Sequence, residues 1–343
     1  MTRQDHAVIL WPGKESSDRY ARDFAQALED QGLPTEEFSL KRWRFGTANA
    51  GVFLVHWPEA AAQGSSWLGR RTAFLLWVLS VWIFRLRGGK VAWVYHNEKP
   101  HSPDRHFVAS LLRLFVPAVD LLFSPSEIGL KLAQENYRGL RPESSEIARL
   151  GVYASTRDSN VGASGSGAAR PTIISFGQIR PYKSLETVIE AFDGVDADLL
   201  IVGKCLSDSY EREIRDLCAS RENIVLRLGF LPEPDLDHLL ANVDGVVLAM
   251  GNSLHSGALL RARSAGLPTL TPSVGALVEY GAMDSGIHLF HGPITQGRIA
   301  EFIDETGGRV ALDVSELEWP EIGAQVAGSI RRSLSVDHLK EKT

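Results

Sequence analysis

The sequence predicts an α/β protein of two domains, each built on a parallel β-sheet with helices on its faces. Short apolar strands alternate with helical patterns along almost the whole chain, which is typical of such sheets. The stretch 154–170, rich in glycine, alanine and serine, interrupts this alternation. With 343 residues the chain has room for two domains. We therefore expect domains at 1–153 and 171–318, a flexible linker between them, and a C-terminal helix and tail at 319–343.

The first predicted domain opens directly on a strand. Its strands are expected at Ala7–Trp11, Gly51–His56, Lys90–His96 and Asp120–Ser124. Its helices are expected at Asp18–Gln31, Thr72–Leu86 and Phe107–Phe115. The first of these helices is expected to end at Gly32, because glycine readily adopts the left-handed conformation that ends many helices.

The second predicted domain starts the same alternation again. Its strands are expected at Thr172–Phe176, Asp198–Val202, Asn223–Leu228, Gly245–Ala249 and Thr269–Thr271. Its helices are expected at Leu185–Phe192, Ser209–Ala219, Pro234–Asn242 and near Ser256–Ala265. Helical spacing from Trp319 to Leu334 indicates a last helix that can pack on either domain.

The composition narrows the class of protein. A content of 44% hydrophobic and 23% charged residues describes a globular chain with substantial cores. The net charge of −6 argues against nucleic acid as a partner. Cys205 and Cys218 show no spacing typical of a metal site or a disulfide framework. No signal-peptide pattern precedes the first strand, so we expect a cytoplasmic protein.

The segment Ile174–Lys183 carries the most informative pattern in the chain. A β-branched strand leads into Gly177, and Arg180 and Lys183 follow just before a predicted helix at Ser184. Glycine lets a ligand approach the backbone closely, and two cations beside the first amides of a helix suit a diphosphate. The alternative is an ordinary strand-to-helix turn with solvated basic residues.

A second glycine-containing loop, Met250–Pro268, follows the predicted strand Gly245–Ala249. If this strand neighbours Thr172–Phe176, both loops meet at one edge of the sheet, where ligands bind in open α/β folds. Amides at the start of the following helix suit phosphate oxygens. The candidate binding residues are Asn252, Ser253, His255, Ser256, Gly257 and Ala258. Asn252 or Ser253 can alternatively serve as a helix cap.

These segments resemble the nucleotide-binding domain of GT-B glycosyltransferases, particularly the family 4 type. The similar segments are Phe176–Lys183, like the family's phosphate loop, Gly229–Leu240, like its Gly-Phe-x-Pro turn and helix, and Ala265–Pro268, like its Gly-x-Pro turn. The resemblance covers 172–275 well and the first domain loosely. It implies two Rossmann-like domains facing each other across a cleft, and transfer of a sugar from a nucleotide-diphosphate donor to a hydroxyl.

The chain departs from the family at two positions. Family 4 members commonly carry two glutamates eight residues apart, and here Ser253 and Arg261 occupy those places. The family's first glutamate is assigned to the donor sugar and its second to the ribose, so neither role transfers. Asn252, Ser253 and His255 are then the candidates to hold the sugar. Arg261 is either a surface residue of its helix or a source of positive charge near the nucleotide.

The first domain offers candidates for the acceptor side. His56 and His96 each follow a predicted strand, at the end where side chains emerge toward ligands. Tyr-His96-Asn resembles a Thr-x-His-Asn segment of many such enzymes, and a histidine there can hydrogen-bond a sugar hydroxyl or the transferred group. Each histidine can equally be structural. Glu59 and Glu98 are the nearest carboxylates in sequence, and one of them is the candidate base if the enzyme inverts the anomeric centre.

Resemblance to family 4 instead implies retention, for which no base is required. Arg180 and Lys183 would then stabilise the charge that grows on the departing diphosphate, with His96 as the third catalytic candidate. Asp196-Ala-Asp198 has the Asp-x-Asp form of a metal site, but it precedes a strand and so lies at the wrong end of the sheet. We therefore expect neither a metal nor another cofactor, with the nucleotide sugar as co-substrate.

An apolar run in the first domain raises the question of membrane contact. Ala73–Phe84 lies between arginine pairs and is too short for a bilayer, which takes about 20 residues. It is either a buried helix or part of a peripheral membrane contact through 70–90. Such a contact would suit a glycolipid or polyprenyl-linked acceptor in surface polysaccharide assembly.

Two other functions remain open from the sequence. One is a sugar-nucleotide epimerase of the same fold. The other is a non-catalytic subunit that binds a nucleotide sugar or a partner transferase. The missing glutamate pair favours the second, whereas Arg180, Lys183 and His96 together argue against it.

Overall fold

The computed structural model describes residues 7–16, 18–39, 50–62, 66–98, 105–153, 170–251, 254–305 and 315–340. These residues divide into two compact units. The first contains the described residues up to Gly151 and those from Ser315 onward, and the second contains those from Val152 to Glu305. The predicted linker, apart from Arg170, lies outside the described residues.

The first unit contains a six-stranded parallel sheet in the order β2-β1-β3-β4-β5-β6. The strands are β1 Ala7–Trp11, β2 Thr35–Glu37, β3 Ala50–Val55, β4 Lys90–Val94, β5 Leu121–Ser124 and β6 Ser144–Ile147. The helices of this unit that precede the end of β6 are α1 Arg19–Asp30, α2 Trp67–Leu86, α3 Arg105–Phe115 and α4 Glu127–Asn136. A short 3-10 turn at Pro58–Ala61 follows β3.

The second unit contains another six-stranded parallel sheet, in the order β12-β11-β10-β7-β8-β9. The strands are β7 Thr172–Phe176, β8 Asp198–Gly203, β9 Ile224–Leu228, β10 Gly245–Val247, β11 Thr269–Pro272 and β12 Ile287–Phe290. The helices are α5 Leu185–Ala191, α6 Asp208–Cys218, α7 Glu233–Ala241, α8 Gly257–Ser264, α9 Leu277–Met283 and α10 Gln296–Glu305.

Both sheets have the topology of doubly wound α/β domains. From β9 to β12 the second sheet has the strand order 3-2-1-4-5-6 of a Rossmann fold. The direction in which successive strands are added to the sheet therefore reverses between the neighbours β7 and β10. In the first sheet the change lies between β1 and β3. Ligands of such sheets bind beside the carboxyl ends of the strands at this change of direction. The predicted fold class of two Rossmann-like domains is confirmed.

Local sequence explains why these elements form. Strand β3 is almost wholly apolar, and Val52 to Val55 are completely buried, as parallel sheets covered on both faces require. Helix α1 begins where the Asp18 carboxylate accepts a hydrogen bond from the Ala21 amide. The same helix ends before Gly32, whose φ of +74° is the left-handed conformation expected there.

The sequence prediction missed six elements: β2, β6 and α4 in the first unit, and α9, β12 and α10 in the second. All three missed strands lie at the edge of a sheet. β2 reads Thr-Glu-Glu and β6 reads Ser-Ser-Glu-Ile. Because an edge strand pairs on one side only and need not be buried, it lacks the apolar run that identifies a central strand.

The C-terminal helix α11, Trp319–Lys340, packs on α1 of the first unit. Gly323 lies so close to α1 that a β-carbon there would come within 2.5 Å of the Ala27 carbonyl oxygen. Further along, the Arg331 guanidinium donates a hydrogen bond to the Gln31 carbonyl. Of the two packing arrangements left open by the sequence, the first domain is the one observed.

Helix α2 starts five residues before the predicted Thr72. It packs on the core along one side and is exposed along the other. It starts at Trp67 because the Ser66 hydroxyl accepts a hydrogen bond from the Gly69 amide and caps it. One side, centred on Phe74, Trp77 and Val81, is buried, while the opposite side is exposed. Among the residues described, α2 is the one helix long and apolar enough to cross a membrane, judged by length and composition alone.

Candidate functional site

A pocket lies in the second unit where the chain changes direction within the sheet. β7 and β10 are neighbours, with Gly245 paired to Ile173 and Val246 to Ile174. The segments that follow both strands line this pocket, including Gly177, Lys183 and Met250. The prediction that β7 and β10 bring their loops to one edge of the sheet is therefore confirmed.

Two glycines shape the turn after β7. Gly177 has a φ of +101°, which favours glycine, and its amide donates a hydrogen bond to the Val202 carbonyl at 3.0 Å. Gly203 ends β8 so close by that a β-carbon there would lie 1.8 Å from the Gly177 carbonyl oxygen. Gly203 was not among the residues predicted from the sequence, although a glycine that ends a neighbouring strand is a signal for such close backbone contact.

Lys183 returns toward this turn. Its Nζ lies 3.1 Å from the position that a β-carbon on Gly177 would occupy. The side chain is half-buried, and burial followed by repulsion from Arg180 lowers the pKa of Lys183 to about 8. Because burial and Arg180 disfavour the charged form of Lys183, a bound anion would stabilise its ammonium group.

Arg180 adds a second positive charge to the same turn. Its Nε is buried with no hydrogen-bond partner among the described residues. Among the residues that the structure describes, no carboxylate forms an ion pair with Arg180 or Lys183. Arg180 is not among the side chains that line the pocket, whereas Lys183 is. Two cations without a counterion, beside a glycine turn, are suited to hold a diphosphate.

The chain between these cations and α5 is irregular. Arg180 is extended, Pro181–Lys183 form a 3-10 turn, and Ser184 then has a left-handed φ of +47°. A side chain at positive φ is uncommon and costs about 1–3 kcal/mol of local strain. Helix α5 starts at Leu185, as predicted, with Ser184 as its N-cap, and the two cations precede it on their own turn.

Helix α8 was predicted to present its first amides to the ligand. Its cap is Ser256, whose buried hydroxyl accepts a hydrogen bond from the Leu259 amide at 3.1 Å, so the predicted caps Asn252 and Ser253 are wrong. Asn252 and Ser253 themselves lie outside the described residues. His255 and Ala258 are half-buried, and Gly257 is exposed. None of the four residues from His255 to Ala258 lines the pocket beside Gly177.

Arg261 is buried, so its interpretation as a surface residue of the helix is wrong. Only 6% of the residue is exposed. Its guanidinium lies 2.5 Å from an Asp237 carboxylate oxygen and 3.9 Å from one of Glu233, both on α7. The Tyr153 ring lies 5.0 Å from the guanidinium carbon. Arg261 therefore joins α8 to α7, and the α7 carboxylates compensate its charge. No sequence pattern indicated Asp237 or Tyr153.

In the first unit, the two candidate histidines are brought into contact. His56 follows β3 and His96 follows β4, and His56 Nδ1 lies 3.3 Å from His96 Nε2. Both residues are buried, with exposures of 1% and 7%. The Trp57 ring stacks on His96 with centroids 5.1 Å apart, and Tyr20 meets both imidazoles edge-on.

The environment of the histidines determines their charge. Burial lowers the pKa of His56 to about 3, so its ring is neutral at ordinary pH. Its Nε2 has no hydrogen-bond partner in the part of the chain that the structure describes. His56 is thus an uncharged ring held among aromatic side chains, with one nitrogen committed to His96.

The two candidate acceptor-side carboxylates have different environments. Glu59 is half-buried, and its carboxylate accepts a hydrogen bond from the Asn97 amide at 3.4 Å. Burial raises the pKa of Glu59. Burial and the charge of Glu59 together raise the pKa of nearby Tyr137 to about 12. Glu98 is exposed. Its raised pKa makes the Glu59 carboxylate a stronger proton acceptor than an ordinary carboxylate.

The Asp-x-Asp sequence lies where it was expected. Arg170 approaches Asp196 at 3.0 Å and Asp198 at 3.6 Å. Asp198 begins β8, whereas the glycine contact with Gly177 is at the other end of that strand. Within the described ranges there is no group of three or more histidine, cysteine or acidic residues arranged to hold a metal. Metal-independent catalysis remains a prediction.

Comparison with known proteins gives consistent matches for this chain. Residues 170–303 match the family described as Glycosyl transferases group 1. A GDP-mannose:glycolipid 4-beta-D-mannosyltransferase from Xanthomonas campestris pv. campestris is 25% identical over 280 residues, 79% of this chain and 77% of the relative.

Solved structures resemble the chain over nearly its full length. Anabaena Alr3699/HepE, crystallised with UDP, is 14% identical with a TM-score of 0.59, covering 97% of this chain and 100% of that one. WaaG, a glycosyltransferase involved in lipopolysaccharide biosynthesis, is 16% identical with a TM-score of 0.58, covering 96% of this chain and 99% of that one. At these identities the likeness shows the fold.

Proposed function

Because this chain is a glycosyltransferase of the GT-B fold, as its motifs had indicated, we propose that it transfers a sugar from a nucleoside-diphosphate donor to a hydroxyl of a glycolipid or polysaccharide intermediate. The observation that carries the donor assignment is the pair Arg180 and Lys183, which lacks a counterion beside the Gly177 turn. Two similar proteins support this assignment. The name of one includes GDP-mannose and a glycolipid, and the other was crystallised with UDP.

The proposed chemistry uses the cations of the second domain. The acceptor hydroxyl oxygen forms a bond to the sugar's anomeric carbon as the bond from that carbon to the diphosphate oxygen breaks. The electron pair of the broken bond stays on the departing nucleoside diphosphate, and the hydroxyl proton passes to a diphosphate oxygen under retention or to Glu59 under inversion. Arg180 and Lys183 stabilise that growing negative charge, and the Gly177 turn lets the phosphates approach the backbone. With two fixed cations at this place, the proposal requires no metal ion and no other cofactor.

The first domain is proposed to recognise the acceptor. His96 would hydrogen-bond a sugar hydroxyl or the transferred group, while His56 holds its ring in place through the contact between Nδ1 and Nε2. Because His56 is uncharged at ordinary pH, it acts by orientation rather than by its charge.

The test is transfer by the purified chain. GDP-mannose and UDP-glucose, each labelled in the sugar, are incubated with the protein and bacterial membrane lipid extract. Labelled sugar in the lipid fraction, with equal release of nucleoside diphosphate, supports the proposal. An epimer formed without lipid extract would instead identify an epimerase. Binding of donors without turnover over a broad acceptor panel would identify a non-catalytic subunit.

The stereochemical course has two candidates. We propose retention first, with the departing diphosphate assisting the acceptor hydroxyl. The environment of Glu59 favours inversion as the second candidate, because burial gives this carboxylate a raised pKa. A donor with an α-phosphate bond that yields a β-linked product must invert, and the Xanthomonas relative is named for a β-linkage.

Product stereochemistry and one variant decide between them. Proton NMR of the newly formed anomeric centre distinguishes retention from inversion directly. Under inversion, Glu59→Gln should abolish transfer but preserve donor binding, since the amide cannot accept the proton. Under retention, the same variant should keep most of its turnover. Glu98→Gln is the control, because this carboxylate is exposed.

A further inference from the structure

Helix α2 carries an apolar surface that the domain core leaves uncovered. Six aliphatic side chains on it are exposed: Leu68, Leu75, Leu76, Leu79, Ile83 and Leu86. The exposure is 65% at Leu68 and 80% at Leu86, at the two ends of the helix. At about 100° per residue these positions fall within an arc of about 100° on one side of α2. They extend over about 27 Å at a rise of about 1.5 Å per residue. We name these six residues the α2 outer face.

The opposite side of α2 already satisfies the needs of the core. Phe74, Trp77, Val78, Val81 and Phe84 are buried. The Trp77 ring centroid lies 5.2 Å from that of Phe115, and Phe84 lies 6.2 Å from Phe53. Folding of this unit therefore does not explain the leucines of the α2 outer face. A continuous exposed apolar surface of this kind marks an interaction site.

Charge indicates the kind of partner. The chain has a net charge of −6, yet no acidic residue occurs between Ala60 and Asn97. Arg70, Arg71 and Arg87 stand near the two ends of α2, whereas Arg85 forms an ion pair with Asp120 of the same unit at 2.8 Å. Arg87 is exposed just after the last leucine. Arg71 lies over the Trp67 ring, 3.4 Å from its centroid, at the other end. An apolar stripe bordered by arginine and tryptophan is complementary to a lipid surface with anionic headgroups.

We infer that the α2 outer face lies flat on an anionic membrane surface. The six aliphatic side chains enter the boundary between headgroups and acyl chains, and Arg87 and the arginines of the first turn contact lipid phosphates. This inference extends the proposed function, because it places the enzyme at the surface that carries a glycolipid acceptor. Binding to lipid needs no nucleotide and no sugar transfer, so it is tested apart from catalysis.

The structure argues against two other occupants. The buried side of α2 holds the helix against Phe53 and Phe115, so crossing a bilayer would require the helix to leave its own domain. A symmetric pair formed through α2 would bring the arginines near its ends toward those of the second copy, and α2 itself has no acidic side chain to face them. Lipid phosphates would instead face these arginines with opposite charge.

The test is flotation of the full chain with vesicles of phosphatidylcholine, with and without phosphatidylglycerol. The unchanged protein should float with the anionic vesicles and be released by added salt. The double variant Leu76→Glu/Leu79→Glu should reduce the bound fraction about tenfold or more, because two carboxylates would enter the lipid boundary. Arg87→Glu should weaken binding to the anionic vesicles and leave any binding to phosphatidylcholine unchanged.

A matched control makes the result specific. Val225 is 48% exposed on β9 of the second domain, so Val225→Glu introduces a carboxylate at an apolar surface residue outside the α2 outer face. It should bind vesicles like the unchanged protein. The double variant must also keep its melting temperature and its stabilisation by GDP or UDP.

Three results would overturn the inference. One is absence of flotation with anionic vesicles, and another is equal flotation of the double variant. The third is a dimer of the unchanged protein, seen by sedimentation velocity, that the double variant dissolves. A protein that floats as expected but transfers no sugar would count against the proposed function alone.

Discussion

His56 and His96 share one hydrogen bond between Nδ1 and Nε2, at 3.3 Å, inside a cluster of aromatic rings in the first domain. Only one of these two nitrogens can carry the shared proton, so the tautomer of one ring fixes the hydrogen-bonding role of the other. Burial keeps His56 neutral, which leaves this arrangement unchanged at ordinary pH. The second histidine is therefore positioned by the first.

His56→Phe should lower kcat about tenfold with little change in KM, since His96 would lose the group that orients it. Phenylalanine keeps an aromatic ring among Tyr20 and Phe24, so the melting temperature should fall only slightly. Because the pKa of His56 is about 3, the pH profile between about 5 and 8 should keep its shape. Steady-state kinetics measure all three. The exposed His291→Phe is the control, and an unaltered kcat in His56→Phe would rule out a positioning role.

Arg180→Ala and Lys183→Ala should each weaken binding of a nucleoside diphosphate by about ten- to a hundredfold, as expected for the loss of a charge-assisted contact. Calorimetric titration with UDP and GDP measures this, and thermal stabilisation by the same ligands should disappear in the double variant. Arg212→Ala, at an exposed position of α6, should bind normally. Full affinity in both cation variants would place the diphosphate elsewhere.

The lowered pKa of Lys183 predicts that donor affinity depends on pH. With a pKa of about 8, Lys183 is mostly protonated at about pH 7 and mostly neutral at about pH 9. A diphosphate binds the protonated form better, so affinity for a nucleotide sugar should fall as pH rises through this range. Lys183→Arg keeps its charge and should show a flat profile. If the donor affinity of Lys183→Arg fell with pH as steeply as that of the unchanged protein, a group other than Lys183 would be responsible.

Gly203→Ala should destabilise the fold by about 1–3 kcal/mol, because its β-carbon would overlap the Gly177 carbonyl oxygen and displace that turn. Donor binding should weaken at the same time, since Lys183 lies over the turn. Urea unfolding and calorimetric titration report the two effects. Gly297→Ala has nothing within 4 Å of its β-carbon and should change neither. Normal affinity in Gly203→Ala would separate the glycine contact from the binding site.

Arg261→Gln should lower the free energy of unfolding by about 1–3 kcal/mol, since it leaves the partly buried Asp237 without its cation. Arg261→Glu, which restores the residue type common in family 4, should cost more because it faces Asp237 and Glu233 with a like charge. Urea unfolding gives both values. Arg215→Ala, which removes an exposed pair with Glu211, should cost less than about 1 kcal/mol. If Arg261→Glu proved more stable than the unchanged chain, the ion pair with α7 would be unimportant for the fold.

Sequence alone was enough for the central strands and the glycine turn after β7. β3, β7 and β8 are short apolar runs between turn residues, and a run of that kind has few alternatives to a buried parallel strand. The turn at Gly177 was equally accessible, because a glycine and two cations after such a strand lie close together in the chain. The motifs also predicted the glycosyltransferase fold, and the matching family and structures confirm it.

Contacts between distant parts of the chain were decided by the tertiary structure alone. Arg261 meets Asp237 from another helix, and His56 meets His96 from another strand, 40 positions away. The exposed and buried sides of α2 also depend on what packs against it, since apolar side chains occur on both. A sequence pattern records the chemistry of each side chain and its neighbours along the chain, whereas burial and pairing are set by the elements that folding brings beside it.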